Sequence, residues 1–163
     1  MRPEFPLIPS GSFARAPWPQ LLLVCTIASP LIAWVAVSMG LGLPTSDPLR
    51  DLMLLVVGAA AEEIVFRGGI QPALARHPWG QRVWCPWPHR HWLALTQANL
   101  WTSVLFALLH LWRHPALAAL AVFPVSLLLG LSVEWSQRLR VPVVLHLWFN
   151  LSLWSVSFLS SPV

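Results

Sequence analysis

Two adjacent glutamates and an arginine sit where the chain is otherwise built of apolar residues. The stretch AAAEEIVFRGG, Ala59 to Gly69, places Glu62, Glu63 and Arg67 at the end of a long hydrophobic run. A charged side chain at a bilayer centre costs about 2.5–3.5 kcal/mol even on lenient insertion scales, so such residues face protein or a wet cavity and mark function by default. Glu63 and Arg67 are spaced i, i+4 with the glutamate first, which puts them on one helical face in the favourable orientation for an ion pair. Glu62 lies about 100° further round the helix and needs a partner from another element. Two later stretches supply candidates. SVLFALLHLW carries His110 four residues after Phe106, and VVLHLWFNLS carries His146 and Asn150 at i, i+4.

Carboxylates, imidazoles and an amide are the parts of a hydrolytic site: a base for water and donors for an oxyanion. Held by Arg67, Glu63 stays ionised, while Glu62 beside it is left to act as the base; environments that separate two carboxylates in this way divide their roles. Plainer readings remain open from the residues alone. Glu63–Arg67 also reads as a structural ion pair with Glu62 at an interface, each histidine as a hydrogen-bonded core residue, and Asn150 as a polar tie between helices. The convergence of three apolar segments, each with polar groups at membrane depth, favours one site.

Other chemistries are excluded. The chain has no HExxH, no GxSxG and no cysteine placed with a histidine as a nucleophile; Cys25 and Cys85 are read as structural. Asp47 and Asp51 flank a loop and offer no intramembrane aspartyl dyad. His77, His89, His91 and His114 fall between segments and are read as solvated, and Glu134 as interfacial.

The elements that must position these groups follow from composition. The chain has 163 residues, 56% hydrophobic and 10% charged, against about 25% charged in an ordinary soluble domain. Five apolar segments are expected as helices: Trp18–Leu43, Leu49–Leu74, Trp92–Trp112, Ala116–Trp135 and Val141–Ser160. Each is long enough for a hydrocarbon layer of about 30 Å. The fold expected is an all-α polytopic membrane protein with about five transmembrane helices, formed by a single domain over residues 18–163. A Pro-rich N-terminal tail, residues 1–17, is expected to be disordered. The first segment is too long for a signal-peptide core and is read as retained. All ten basic residues are arginine. They concentrate on the N-terminal side of the membrane, which predicts an N-in, C-out topology with Arg67 snorkelling to the inner face. The many tryptophans at segment ends suit an interfacial belt. The basic charge does not form a water-soluble patch, so nucleic acid is not a partner. The arginine- and tryptophan-rich stretch His77–His91 is either a substrate-facing element or an interfacial loop.

EEIVFRG, FALLH and HLWFN, in this order and each in a hydrophobic segment, resemble the EExxxR, FxxxH and HxxxN motifs of the CAAX-protease and bacteriocin-processing family of intramembrane endopeptidases. The resemblance covers residues 49–151. It implies that Glu62 activates water with help from His110, that His146 and Asn150 hold the oxyanion, and that Glu63 and Arg67 support them. It implies no cofactor and a glutamate-dependent mechanism, with a membrane-anchored protein bearing a C-terminal tail as substrate and the lipid bilayer as surroundings. Small bacterial members with this layout include C-terminal sorting-type (myxosortase-like) proteases, so sorting-signal processing at a bacterial inner membrane is the expected role. Two alternatives stand beside it. One is a zinc protease with Glu62, His110 and His146 as ligands, a His₂Glu set of the kind that holds catalytic zinc. The other is a non-catalytic immunity or scaffold protein of the same fold. One difficulty follows from the topology: straight spanning helices put His110 and His146 about 15–20 Å apart in depth.

Overall fold

A computed structural model describes residues 18–41, 47–84, 95–112 and 114–160. The N-terminal tail 1–17, Cys85, His89 and His91 lie outside the described residues. The five apolar segments each carry a helix. Helix α1 spans Trp18–Ser38, α2 Pro48–Val65, α4 Gln97–His110, α5 Ala116–Ser136 and α6 Arg140–Ser160. The second segment is not one helix. After α2 the backbone widens into a π-helical turn, Phe66–Ile70, and resumes as a short α3, Gln71–Ala75. The local chemistry accounts for the break: Pro72 supplies no N–H and crowds the carbonyl four residues back, and Gly68–Gly69 is a weak helix former. Two helices, α5 and α6, are by themselves long and apolar enough to cross a membrane; Leu23–Ser38 is a shorter apolar stretch.

The third segment corrects the expected boundary. Its helix begins at Gln97 rather than near Trp92, because Leu95–Thr96 (β2) pairs antiparallel with Val83–Trp84 (β1). Thr96 then caps α4, its hydroxyl accepting from the Asn99 N–H at 3.0 Å, the usual arrangement for a threonine before a helix. This two-residue pair is the departure from an all-helical chain among the described residues.

Small and polar residues hold the helices together, as expected where lipid removes most of the hydrophobic drive between them. α1 packs along α6, with the Ser29 and Ser152 hydroxyls 2.9 Å apart. Pro30 cannot donate to the carbonyl of Thr26, four residues back. The Trp148 indole N–H of α6 donates to that carbonyl instead, at 3.1 Å, so the proline's lost bond is replaced by one between helices. α4 packs on α5 at a glycine. A Cβ on Gly130 would lie 1.9 Å from Asn99 Oδ1, and the Asn99 amide donates to the Leu127 carbonyl at 3.1 Å. Only a residue without a side chain admits that approach. α2 packs against α6, while α4 packs on α5, α3 and the π turn.

Candidate active site

The first motif folds into a buried polar knot. Glu63 and Arg67 are both fully buried, with Arg67 Nε 3.4 Å from Glu63 Oε2. The i, i+4 pairing read from the sequence is present, and Arg67 does more than complete it. Its Nη2 donates to both the backbone carbonyl and the hydroxyl of Ser126 on α5, each at 2.7 Å. Its guanidinium carbon lies 4.9 Å from the centre of the Phe106 ring, within the range of a cation–π contact. Snorkelling is therefore corrected. An arginine can stay inside when an anion, two oxygen acceptors and an aromatic face replace its water, and here it ties α2 to α5 through the start of the π turn.

His146 joins the two glutamates. Its Nδ1 is 2.9 Å from Glu63 Oε1, and its Nε2 is 3.8 Å from Glu62 Oε2. An ionised carboxylate only accepts, so Nδ1 carries the proton toward Glu63 and the Nε2 edge faces Glu62. The second distance is too long for a direct hydrogen bond. Glu63 thus serves Arg67 and His146 together, which corrects the simpler division in which Glu63 belonged to Arg67 alone. The Glu62 side chain is 40% exposed against none for Glu63, so the two neighbouring carboxylates differ in their access to solvent.

His110 reaches the same place from α4. Its Nδ1 lies 2.9 Å from the Phe106 carbonyl; a carbonyl only accepts, so Nδ1 donates and Nε2 is left with its lone pair in the neutral ring. The Phe106 ring sits between the two histidines, its centroid 4.6 Å from His110 and 5.9 Å from His146. The expected depth mismatch is thereby removed. α4 is short, it starts beside Glu134, and the ring of His110 turns back along its own helix toward Phe106, the direction in which helical side chains lean. Asn150 is half-buried on α6, one turn after His146, and its side chain makes no hydrogen bond with the described residues.

Between α2 and α4 lies a cavity of about 640 Å³. Glu62 and His110 line it, and so do Asp51, His114, Gly58 and Phe106. Two of these were not singled out from the sequence. His114, expected to be a solvated loop residue, is exposed as expected, and it also stacks on His110 at 5.7 Å and lines the cavity. Asp51, read as flanking a loop, lies in the first turn of α2. The spacing held the signal, since eleven residues are close to three whole helical turns, and Asp51 and Glu62 therefore share a face. His77 is exposed beside Trp79, as expected.

A second polar cluster lies beyond Arg67, on the far side of the knot from the cavity. Glu134 Oε1 accepts from Gln71 Nε2 at 2.9 Å and from Thr96 Oγ1 at 2.5 Å, and Gln71 also reaches the Gly130 carbonyl at 3.3 Å. Glu134 was expected at the interface. It instead joins α3, the start of α4 and α5, because its carboxylate finds donors inside the bundle. Among the described residues no three His, Cys, Asp or Glu side chains group so as to hold a metal ion.

Comparison with known families gives a match to type II CAAX prenyl endopeptidases of the Rce1-like kind over residues 17–152. No curated protein and no solved structure matches the chain.

Proposed function

The chain belongs to the Rce1-like family of type II CAAX prenyl endopeptidases, a family of integral membrane proteases, and on that premise we propose a glutamate-dependent intramembrane endopeptidase that cuts membrane-anchored proteins near their C-terminus. The observation that carries the mechanism is His146 lying between Glu63, closed off, and Glu62, open to the cavity. Glu62 takes a proton from water, and the hydroxide adds to the scissile carbonyl carbon. His110 Nε2, held toward the cavity by the bond from Nδ1 to Phe106, accepts from the same water and aligns it. The tetrahedral oxyanion is met by the Nε2 edge of His146, when both ring nitrogens carry protons, and by the Asn150 amide. The C–N bond then breaks and the proton held on Glu62 passes to the leaving amine. Glu63 and Arg67 do not touch substrate; they fix the His146 ring and keep the knot closed. No step uses a metal.

The five helices are proposed as transmembrane spans with the N-terminus inside and the C-terminus outside, in a bacterial inner membrane, and the preferred substrate is a C-terminal sorting signal. The test is co-expression of the chain with tail-anchored candidate substrates, reading cleavage by mass change. Glu62→Gln is expected to lower the rate by about 10²–10⁴-fold, the usual contribution of a general base, while strong chelator leaves the wild-type rate unchanged. Normal cleavage by Glu62→Gln would overturn the assignment, and loss of activity in chelator restored specifically by zinc would overturn the metal-free mechanism.

A further inference from the structure

We propose that His114 is a positioning residue for the reaction: its ring covers His110 from the side away from Phe106 and, with Phe106, holds the His110 imidazole so that Nε2 stays turned to the cavity. This rests on the endopeptidase reading and adds to it a residue outside the three motifs.

Phe106, His110 and His114 are spaced i, i+4 and i+8, so they share one face for as long as the chain keeps a helical course. α4 ends at His110, but the course is kept for one turn more, because the His114 N–H donates to the His110 carbonyl at 2.9 Å. Side chains on such a face lean toward the N-terminus, and each ring comes down on the one before it. The Phe106 and His110 rings lie 4.6 Å apart at 32°, and the His110 and His114 rings 5.7 Å apart at 21°. Both separations fall in the range of offset aromatic pairs. Phe106 meets the imidazole from the preceding turn and His114 from the following one, so the ring is held from two sides.

His110 needs the second support. Its Nδ1 donates to the Phe106 carbonyl at 2.9 Å, an oxygen that is also the acceptor for the helical N–H of residue 110. One bond at one ring atom leaves a half-buried ring free to swing about it. If the ring turned over, Nδ1 and Nε2 would exchange places, and the lone pair that aligns water would be lost from the cavity. His114 is itself restrained, although its side chain is exposed. Its N–H is fixed on His110, and Pro115 follows it, which restricts the backbone of the residue before it. Pro115 in turn is the N-cap residue of α5. A ring presented by so restrained a backbone has less freedom to lose on stacking than one on a loose loop. Both histidines line the cavity with Glu62, so the ring that His114 steadies is the one placed beside the proposed base.

The test reads the His110 ring directly and then the reaction. The full chain in detergent micelles, labelled with nitrogen-15 histidine and held at mildly alkaline pH where an ordinary imidazole is neutral, gives the tautomer of each ring from its nitrogen shifts. The signals missing from His110→Gln assign His110. The wild type is expected to show one tautomer, with the proton on Nδ1, and His114→Ala to show averaging of the two nitrogens. His114→Phe, which keeps a flat ring and no titratable nitrogen, is expected to restore the single tautomer. Cleavage of a library of mainly apolar peptides is read by mass spectrometry, counting only products that Glu62→Gln abolishes. For His114→Ala, kcat is expected to fall about three- to tenfold, the size of one aromatic pair, with KM little changed, and to recover in His114→Phe. A single His110 tautomer in His114→Ala, or a rate that does not fall, overturns the positioning role and leaves the endopeptidase reading intact. So does a loss in His114→Phe as deep as in His114→Ala, which would give His114 a proton to carry in place of a ring to hold. No Glu62-dependent product from the wild type overturns both.

Discussion

Breaking the Glu63–Arg67 pair from one side should damage the protein more than removing both charges. Arg67→Met leaves the fully buried Glu63 carboxylate with His146 as its remaining hydrogen-bond partner, and it removes both bonds to Ser126 and the contact over Phe106. Removing one member of a buried pair costs about 3–5 kcal/mol, because the other charge is stranded, whereas replacing the whole pair by groups of similar shape is often close to neutral. Glu63→Gln strands the guanidinium in the same way, although its amide oxygen can still accept from His146. The double variant Glu63→Gln/Arg67→Met removes both charges and keeps that acceptor. The coupling between the two sites should therefore reach about 2–3 kcal/mol, the upper part of the range for contacting residues. Reversible unfolding in mixed micelles, titrated with a denaturing detergent and followed by helical circular dichroism, measures all four corners of the cycle. The 3.4 Å separation between Nε and Oε2 makes this a demanding case, since the pair is held by charge and by its surroundings more than by a good hydrogen bond. Additivity of the two single effects within about 0.5 kcal/mol would refute the reasoning and assign the stability of Arg67 to Ser126 and Phe106 alone.

Two further outcomes follow from glycines on opposite sides of the site. Gly130→Ala puts a methyl group where Asn99 Oδ1 now sits, so the Asn99 amide must give up its place and its bond to Leu127 or α4 and α5 must separate; a loss of about 1–3 kcal/mol, the usual range for overpacking, is expected in the same unfolding assay, and an unchanged midpoint would show that the approach is not obligatory. Gly58→Ala adds a methyl in open space and should raise stability by up to about 1 kcal/mol through helix propensity, whereas Gly58→Phe should fold but block the cavity and abolish Glu62-dependent cleavage; full activity in Gly58→Phe would place the substrate elsewhere.

The apolar segments, the three motifs and the i, i+4 relation of Glu63 to Arg67 were legible in the sequence because each depends on spacing within one helix. What was not legible depends on contacts between helices. Nothing local distinguishes Ser126 from any other serine in an apolar run, yet its carbonyl and hydroxyl keep Arg67 inside the bundle. Snorkelling was the natural expectation for an arginine near a helix end, and it fails because acceptors arrive from α5. Glu134 was misplaced for the same reason: its partners, Gln71 and Thr96, lie more than 35 residues away in sequence. The late start of α4 was hidden by an apolar run that continues through a strand, since periodicity cannot separate a short strand from the first turn of a helix. Asp51 is the instructive miss, because its relation to Glu62 lies within one helix and needed only a longer window than the motif.

The π turn explains how one short motif supplies both a buried knot and an open carboxylate. Glu62 and Glu63 end a regular helix, where about 100° separates neighbouring side chains, so one faces the cavity and the other His146. Had the helix continued unbroken, Arg67 and Gln71 would follow on the face set by Glu63 at strict i+4 spacing. The wider turn at Phe66–Ile70 alters that register just where Arg67 must reach Ser126 while remaining beside Glu63, and where Gln71 must reach Glu134. Single π turns inside helices occur mostly at functional sites, and this one lies between the two polar clusters. Arg67 links α2 to α5 at the level of the site, and Gln71 links α3 to α5 and, through Glu134, to the cap of α4. The helix that carries Glu62 and the helix that carries His110 are thus fastened to each other through Gln71, Glu134 and Thr96 and line the cavity between them.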